Sequence, residues 1–207
     1  PNNFIMLNTP VLKEIFESID PILREYMSTP GNETLDNLSY NEIKSQVFRL
    51  FHGITEGSER IKTIVQELKT YSGRDKEIQY EKFDVNRSIL SSTVLVSSLL
   101  KKVTKNFSIE LEEVPHLFGN HKQIEQVMIN LIQNACYALE HDGQGIFVSS
   151  TFEPHSREVV VTIRDQGKGI APEDLEKIFD PFYTTNRDKG GTGLGLSICQ
   201  KIIKNHR

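Results

Sequence analysis

Apolar residues near the start of the chain recur at helical spacing. Phe4, Val11, Ile15, Ile19, Ile22 and Tyr26 follow one another in steps built from threes and fours, with Asn8 as a polar lapse in the stripe. This predicts a helix, closed by a loop that carries Pro30, Gly31, Asn32 and Asn37. A second, more regular series then runs through Ile43, Val47, Leu50, Ile54, Gly57, Ile61, Ile64, Leu68 and Tyr71, alternating four and three over four heptads. A sustained period of 3.5 residues marks a coiled-coil-like seam. Two helices alone cannot cover such seams, whereas two hairpins pairing as a four-helix bundle can, so a homodimer is expected.

At Ser72-Gly73-Arg74-Asp75 the pattern changes. Lys82 to Val85 reads as a short strand, Arg87 to Lys102 as a helix with a serine-rich face, and Phe107 to Glu112 as a half-buried strand. Asn120, with Gln123 three residues on, resembles a capping box that opens a helix to about Leu139. Strands are expected at Ile146–Phe152 and Val159–Arg164, then a short helix from Pro172 to Ile178, a glycine-rich loop, and a helix from Leu194 to Lys204. The resulting fold class is α+β: a helical hairpin over residues 1–75, then an α/β sandwich over 76–207 with one sheet face covered by helices.

Composition narrows the options. With 207 residues, 37% hydrophobic and 25% charged, the chain is long and apolar enough for a genuine core. The net charge of -4 and the lack of a basic run argue against a nucleic-acid surface. No apolar stretch approaches the roughly 20 residues of a membrane span, so no membrane contact is expected here. Pro1 to Pro10 lacks the basic start and apolar run of a signal peptide. Cys136 and Cys199 fall in helical segments and read as buried free thiols of a reducing, cytoplasmic compartment. A membrane anchor elsewhere in a longer protein is compatible with that placement.

Three segments carry candidate chemistry. In Gln126-Val127-Met128-Ile129-Asn130-Leu131-Ile132-Gln133-Asn134-Ala135, the two asparagines stand four apart on one helix face. Val127, Leu131 and Ala135 trace the adjacent core stripe. Asparagine is a mediocre helix former, so a pair in register points to a task, although a solvated polar face is the plain alternative. Asp165-Gln166-Gly167-Lys168-Gly169-Ile170 follows a strand. Its carboxylate can accept from an exocyclic amine such as that of adenine, and its glycines permit close approach; an ordinary turn fits equally. Gly190-Gly191-Thr192-Gly193-Leu194-Gly195-Leu196-Ser197 opens the last helix, where free amides and the helix dipole make an anion cradle. It lacks the Gly-Lys-Ser/Thr of a Walker A loop, and no βαβ unit surrounds it.

In order and spacing these segments resemble the N, G1 and G2 boxes of the ATPase superfamily shared by gyrase, heat-shock chaperones, histidine kinases and MutL (the GHKL group, with its Bergerat-type fold). Phe179-Asp180-Pro181-Phe182-Tyr183-Thr184-Thr185 resembles the F box of histidine kinases. The first domain is similar to the dimerisation and phosphotransfer hairpin of sensor histidine kinases, through Ser58 to Ser72 and through Pro1-Asn2-Asn3-Phe4-Ile5, which resembles the variety common among hybrid kinases.

The resemblance implies Mg2+ and ATP as cofactors. Asp165 would take the adenine amine, with Gly167, Gly169 and Ile170 shaping the base pocket. Asn134 with Asn130 would hold magnesium, and Tyr137 would sit near the phosphates or ribose, where many relatives carry a charged residue. Phe182, Thr184 and Thr185 would belong to the F box and lid, and Gly191, Thr192, Gly193, Leu194, Gly195 and Leu196 to the phosphate cover. Lys168 and Lys189 read more simply as solvated lysines than as phosphate partners.

Hydrolases of the superfamily place a glutamate base where this chain has Asn130, and an amide cannot take that proton at neutral pH. Histidine is therefore the implied acceptor, and the aspartate of a response-regulator receiver domain the next one. By resemblance the acceptor histidine would lie five residues before Pro1, and relatives continue past Arg207 into a closing hairpin of strands. His52, His116, His121, His141, His155 and His206 read as surface or structural, so the fragment is not expected to autophosphorylate. The alternatives are an ATP hydrolase of the same fold and a non-catalytic dimerisation module with a vestigial nucleotide site.

Overall fold

The computed structural model describes residues 2–32, 34–35, 38–72, 79–186 and 191–206. Pro1, Asn37, the punctuation at Gly73–Asp75, the expected domain boundary at 75/76, Lys189, Gly190 and Arg207 lie outside the described residues. The chain divides into two compact units, Pro1–Gln66 and Glu67–Arg207.

The first unit is a helical hairpin. Helix α1 spans Asn2–Met27 and α2 spans Tyr40–Ser72. Between them a two-residue ladder pairs β1 (Thr34–Leu35) with β2 (Leu38–Ser39), a feature without a pattern in the sequence. Ser39 fixes the start of α2: its N–H and hydroxyl both donate to Glu42 Oε2, at 2.8 and 2.6 Å. Those bonds hold the Glu42 carboxyl below its usual range. The helices are joined by an edge-to-face trio, Phe16 with Phe48 and Phe51. At one end Asp20 accepts from Tyr40 at 2.9 Å and from Lys44 at 2.7 Å. Much of both apolar stripes remains open: Ile15, Ile19, Ile22, Leu50, Ile54 and Ile61 are exposed in the single hairpin, while Ile43, Val47 and Ile64 are partly buried.

The second unit builds on a three-stranded sheet. Strand β6 (Gly145–Glu153) lies centrally, parallel to β4 (Asn106–Leu111) and antiparallel to β7 (Glu158–Asp165). A separate antiparallel pair joins β3 (Glu81–Phe83) to β5 (Leu117–Gly119), and β5 was not expected from the sequence. Strand β3 ends before the expected Val85, because Asp84 accepts from Asn86 N at 2.9 Å and caps the next helix.

The helix expected over Arg87–Lys102 is two helices, α3 (Val85–Leu95) and α4 (Ser97–Val103), broken at Val96. Ser92 and Thr93 turn their hydroxyls back onto the Ser88 and Ile89 carbonyls, a habit that bends helices. The break sends Ile89 into one apolar cluster and Val96 and Leu100 into another. Helix α5 (His121–Ala138) feeds both clusters, through Ile124, Val127 and Met128 and through Ile132, Ala135 and Cys136. The last helix, α6 (Gly195–Asn205), adds Ile198, Cys199 and Ile202. Strand β6 turns Ile146, Val148 and Ser150 toward these helices, all within 1% of complete burial.

Residues 172–178 do not form the expected helix. Asp174, Leu175 and Lys177 donate to carbonyls three residues back, in successive turns. With Leu175 half exposed, the segment has little apolar face to bury, and short helices without one are marginal.

Candidate nucleotide-binding site

Helix α5 is the platform of the site. Its N-cap is Asn120, whose side chain accepts from Gln123 N at 3.0 Å, so the first half of the expected capping box is present. Asn130 is partly buried and Asn134 is exposed one turn later. The Asn130 Nδ2 donates to the Gly195 carbonyl at 3.4 Å and lies 3.8 Å from Cys199 Sγ, which leaves the amide oxygen for a cation. Neither sequence spacing nor composition singles out Cys199 as the neighbour of Asn130. Burial pushes the thiols of Cys199 and Cys136 up to about 11, so both stay protonated and inert at neutral pH, and both are free.

The turn after β7 docks on the C-terminal end of the same helix. Asp165 is exposed, and its Oδ1 accepts from Gly167 N at 2.9 Å, which leaves the second oxygen for another donor. Gly167 packs against the Ala138 carbonyl, and that carbonyl accepts from Lys168 N at 3.0 Å. Gly169 has φ +70°, and Ile170 is 52% exposed.

The glycine-rich cover begins at a strained point. Phe182 is a non-glycine residue at φ +69°, and its N–H donates to the Gly193 carbonyl at 2.9 Å. Gly193 itself has φ +74°, and a Cβ there would sit 2.7 Å from Phe182 Cα. Thr184 Oγ1 accepts from Asn186 N at 3.1 Å, and Gly191 N donates to the Asn186 carbonyl at 3.0 Å. Thr192 Oγ1 accepts from Leu194 N at 3.3 Å, and Leu194 is fully buried as the residue before α6. Lys168 Nζ reaches Asn186 Oδ1 at 3.3 Å, so it joins the Asp165 turn to the cover rather than standing alone in solvent. Tyr183 donates to Asp174 and is thereby pushed above its usual range.

Two docking points thus bracket Asn134 on one helix: Gly195 against Asn130, and the Asp165 turn against Ala138. Tyr137, Thr185 and the Phe182 ring stay exposed, and Leu196 is partly buried. A groove of about 310 Å³ is lined by Phe179, Pro181, Ser197, Gln200, Lys201, Lys204 and Asn205, none of them in the expected contact set. Among the described residues no group of three or more His, Cys, Asp or Glu could hold a metal ion. The donors offered near Asn134 are amide oxygens, hard ligands that suit magnesium with retained waters.

Gly193→Ala tests the cover. The new Cβ must enter Phe182 backbone space at a φ that costs a non-glycine residue about 1–2 kcal/mol. ATP affinity is expected to fall about tenfold while the unit stays folded, as read by titration calorimetry beside circular dichroism. Unchanged affinity would detach the cover from phosphate binding.

Comparison with known proteins places this arrangement. Residues 119–207 match the family described as histidine kinase-, DNA gyrase B-, and HSP90-like ATPase, which defines the class of the second unit. The chain is 32% identical over 151 residues to the sensor histidine kinase ZraS of Salmonella typhi, covering 72% of this chain and 31% of ZraS. It is 28% identical over 207 residues to CpxA of Escherichia coli K12, covering 88% of this chain and 44% of CpxA. The catalytic domain of the histidine kinase ThkA superposes with a TM-score of 0.55 at 34% identity, over 62% of this chain and 82% of that one. ThkA solved in complex with response regulator protein TrrA covers 97% of this chain and 54% of that chain, with a TM-score of 0.63 at 29% identity. The chain belongs to the sensor histidine kinases, with a GHKL-type ATP-binding domain. It spans less than half the length of these curated relatives. Among the described residues no helix is long and apolar enough to cross a membrane.

Proposed function

We propose that this chain is the dimerising and ATP-binding core of a cytoplasmic protein-histidine kinase. The observation that carries the reading is the bracketing of Asn134 on α5 by the Asp165 turn at Ala138 and the glycine cover at Asn130. Asp165 would accept from the adenine amine through the oxygen not engaged by Gly167. Asn130 and Asn134 would present oxygens to magnesium, whose charge offsets that of the triphosphate. Gly191, Gly193 and Gly195 would turn backbone amides to phosphate at the start of α6.

No carboxylate stands at position 130 to take a proton from water, so the bound nucleotide is kept for another acceptor. That acceptor is a histidine upstream of Pro1: its imidazole nitrogen forms the new N–P bond as the bond from the γ-phosphorus to the bridging oxygen breaks and ADP leaves. Phosphoryl transfer of this kind depends mainly on positioning and charge neutralisation. The phosphoryl group then passes to an aspartate of a response-regulator receiver domain, a partner class supported by the ThkA–TrrA complex of a related kinase. The exposed heptad positions of the hairpin fit a homodimer joined as a four-helix bundle.

The test mixes this chain with a longer kinase chain that carries the acceptor histidine and a disabled ATP site. With labelled ATP and magnesium, label should appear on the longer partner and disappear when magnesium is chelated. Steady phosphate release without labelled protein would instead identify a hydrolase. Absence of ATP binding in calorimetry would leave only a dimerisation module.

A further inference from the structure

Beside their shared apolar packing, polar contacts tie α6 to α5 at three levels that follow one another in antiparallel order. At the lid end, Asn130 Nδ2 meets the Gly195 carbonyl at 3.4 Å. Midway, Cys199 Sγ lies 3.9 Å from the Val127 carbonyl. At the far end of both helices, the Asn120 N–H donates to His206 Nε2 at 2.9 Å. The other ring nitrogen, Nδ1, lies 2.8 Å from the Ile202 carbonyl. An N–H can only donate and a carbonyl can only accept, so the two contacts match an imidazole that accepts at Nε2 and donates from Nδ1.

Two further observations show that the fold makes room for this ring. In a reciprocal cap the Asn120 N–H would go to Gln123, yet Gln123 Oε1 is buried with no partner among the described residues. His206 has taken over that donor from 86 residues away. Gly119 stands directly against the ring: a Cβ there would overlap His206 Cδ2 and approach Nε2 to 2.9 Å. Tyr80 closes the other side, with its ring centroid 5.5 Å from that of His206.

We propose that His206 is a positioning residue for the phosphate half of the nucleotide site. The inference rests on the nucleotide reading given above. Helix α5 carries Asn130 and Asn134, while α6 begins at the glycine cover, so the register between the two helices sets how cover and amides face one another. His206 pins the distal end of that register. Released, α6 keeps the apolar packing of Ile198, Cys199 and Ile202 and the long Asn130 and Cys199 contacts but loses its polar tie to α5 at the distal end, and a slip of one residue would move Gly195 by about 1.5 Å. A displacement of that size is enough to spoil a phosphate cradle. The Asp165 turn docks at Ala138 on α5 and meets the cover through the exposed Lys168–Asn186 bond rather than through α6 itself, so the base pocket is expected to be spared.

The test compares ATP with magnesium against adenosine alone by calorimetry on the full chain. His206→Leu removes both ring bonds and should weaken ATP roughly tenfold while adenosine binds as before. His206→Gln keeps an acceptor for Asn120 N and should recover ATP affinity to within about twofold of the parent. Gly119→Ala pushes the ring out without removing it. It should match His206→Leu, and the combined variant should be no weaker than either alone. If the parent chain binds no ATP, the nucleotide reading fails and this inference with it. If the parent binds and Gly119→Ala and His206→Gln lose ATP and adenosine equally, or lose neither while His206→Leu also binds normally, the positioning role alone is overturned. Should His206→Leu fail to fold, the Gly119→Ala and His206→Gln pair decides the matter by the same ratio.

Discussion

Asp165→Asn is expected to weaken ATP binding roughly 30-fold, about 2 kcal/mol, without altering the melting temperature. Asp165 is exposed at the end of β7, so its replacement leaves no buried polar group behind. One oxygen already accepts from Gly167 N at 2.9 Å, and an asparagine oxygen can keep that bond. The amide nitrogen then replaces the oxygen that would face adenine, and a donor meets a donor. An inosine nucleotide sharpens the test, because its ring carries an acceptor where adenine carries the amine. The variant should lose its preference for ATP over inosine triphosphate, as measured by parallel titrations. Equal affinity of parent and variant for ATP would show that the base is not held at Asp165.

Ile132→Ala is expected to cost about 3–4 kcal/mol of stability, because deleting buried branched side chains removes both transfer energy and packing. Ile132 is fully buried among Val96, Leu100, Ala135, Cys136 and Ile146, where helices α4 and α5 meet the sheet. A loss of that size should lower the melting temperature by about 10 °C, as followed by circular dichroism. Leu90→Ala is the control, since Leu90 is 49% exposed on α3 and should cost within about 1 kcal/mol. Ile132 also lies between Asn130 and Asn134 on α5, so ATP affinity should fall as the helix loosens. Equal losses for the two variants would overturn the placement of the core.

Much of the site was legible because its signals are local. The asparagines four apart, the Asp-x-Gly-x-Gly turn and the glycine run each carry their chemistry within about ten residues, and the structure puts the first two on and against α5. The helix expected from Asn120 to Leu139 is α5, Asn120 included as cap. Contacts across long separations were not legible. Nothing in the spacing of Asn120 and Gln123 predicts that a histidine at the other end of the unit supplies the second half of the cap. The Lys168–Asn186 bond and the pairing of Phe182 with Gly193 depend in the same way on how two loops meet.

The sequence by itself determined most of the long helices and strands, which faces are apolar, the free state of the two cysteines, and the kinship to sensor histidine kinases. Periodicity does this because burial of one face repeats every two or 3.6 residues whatever the partner is. Tertiary structure alone decided that β4 runs parallel to β6, that the serine-rich helix breaks at Val96, that residues 172–178 turn without coiling, and that α6 is anchored to α5 at both ends. Those outcomes follow from which surfaces close on one another, and a pattern that marks a surface as apolar does not name the surface that will cover it.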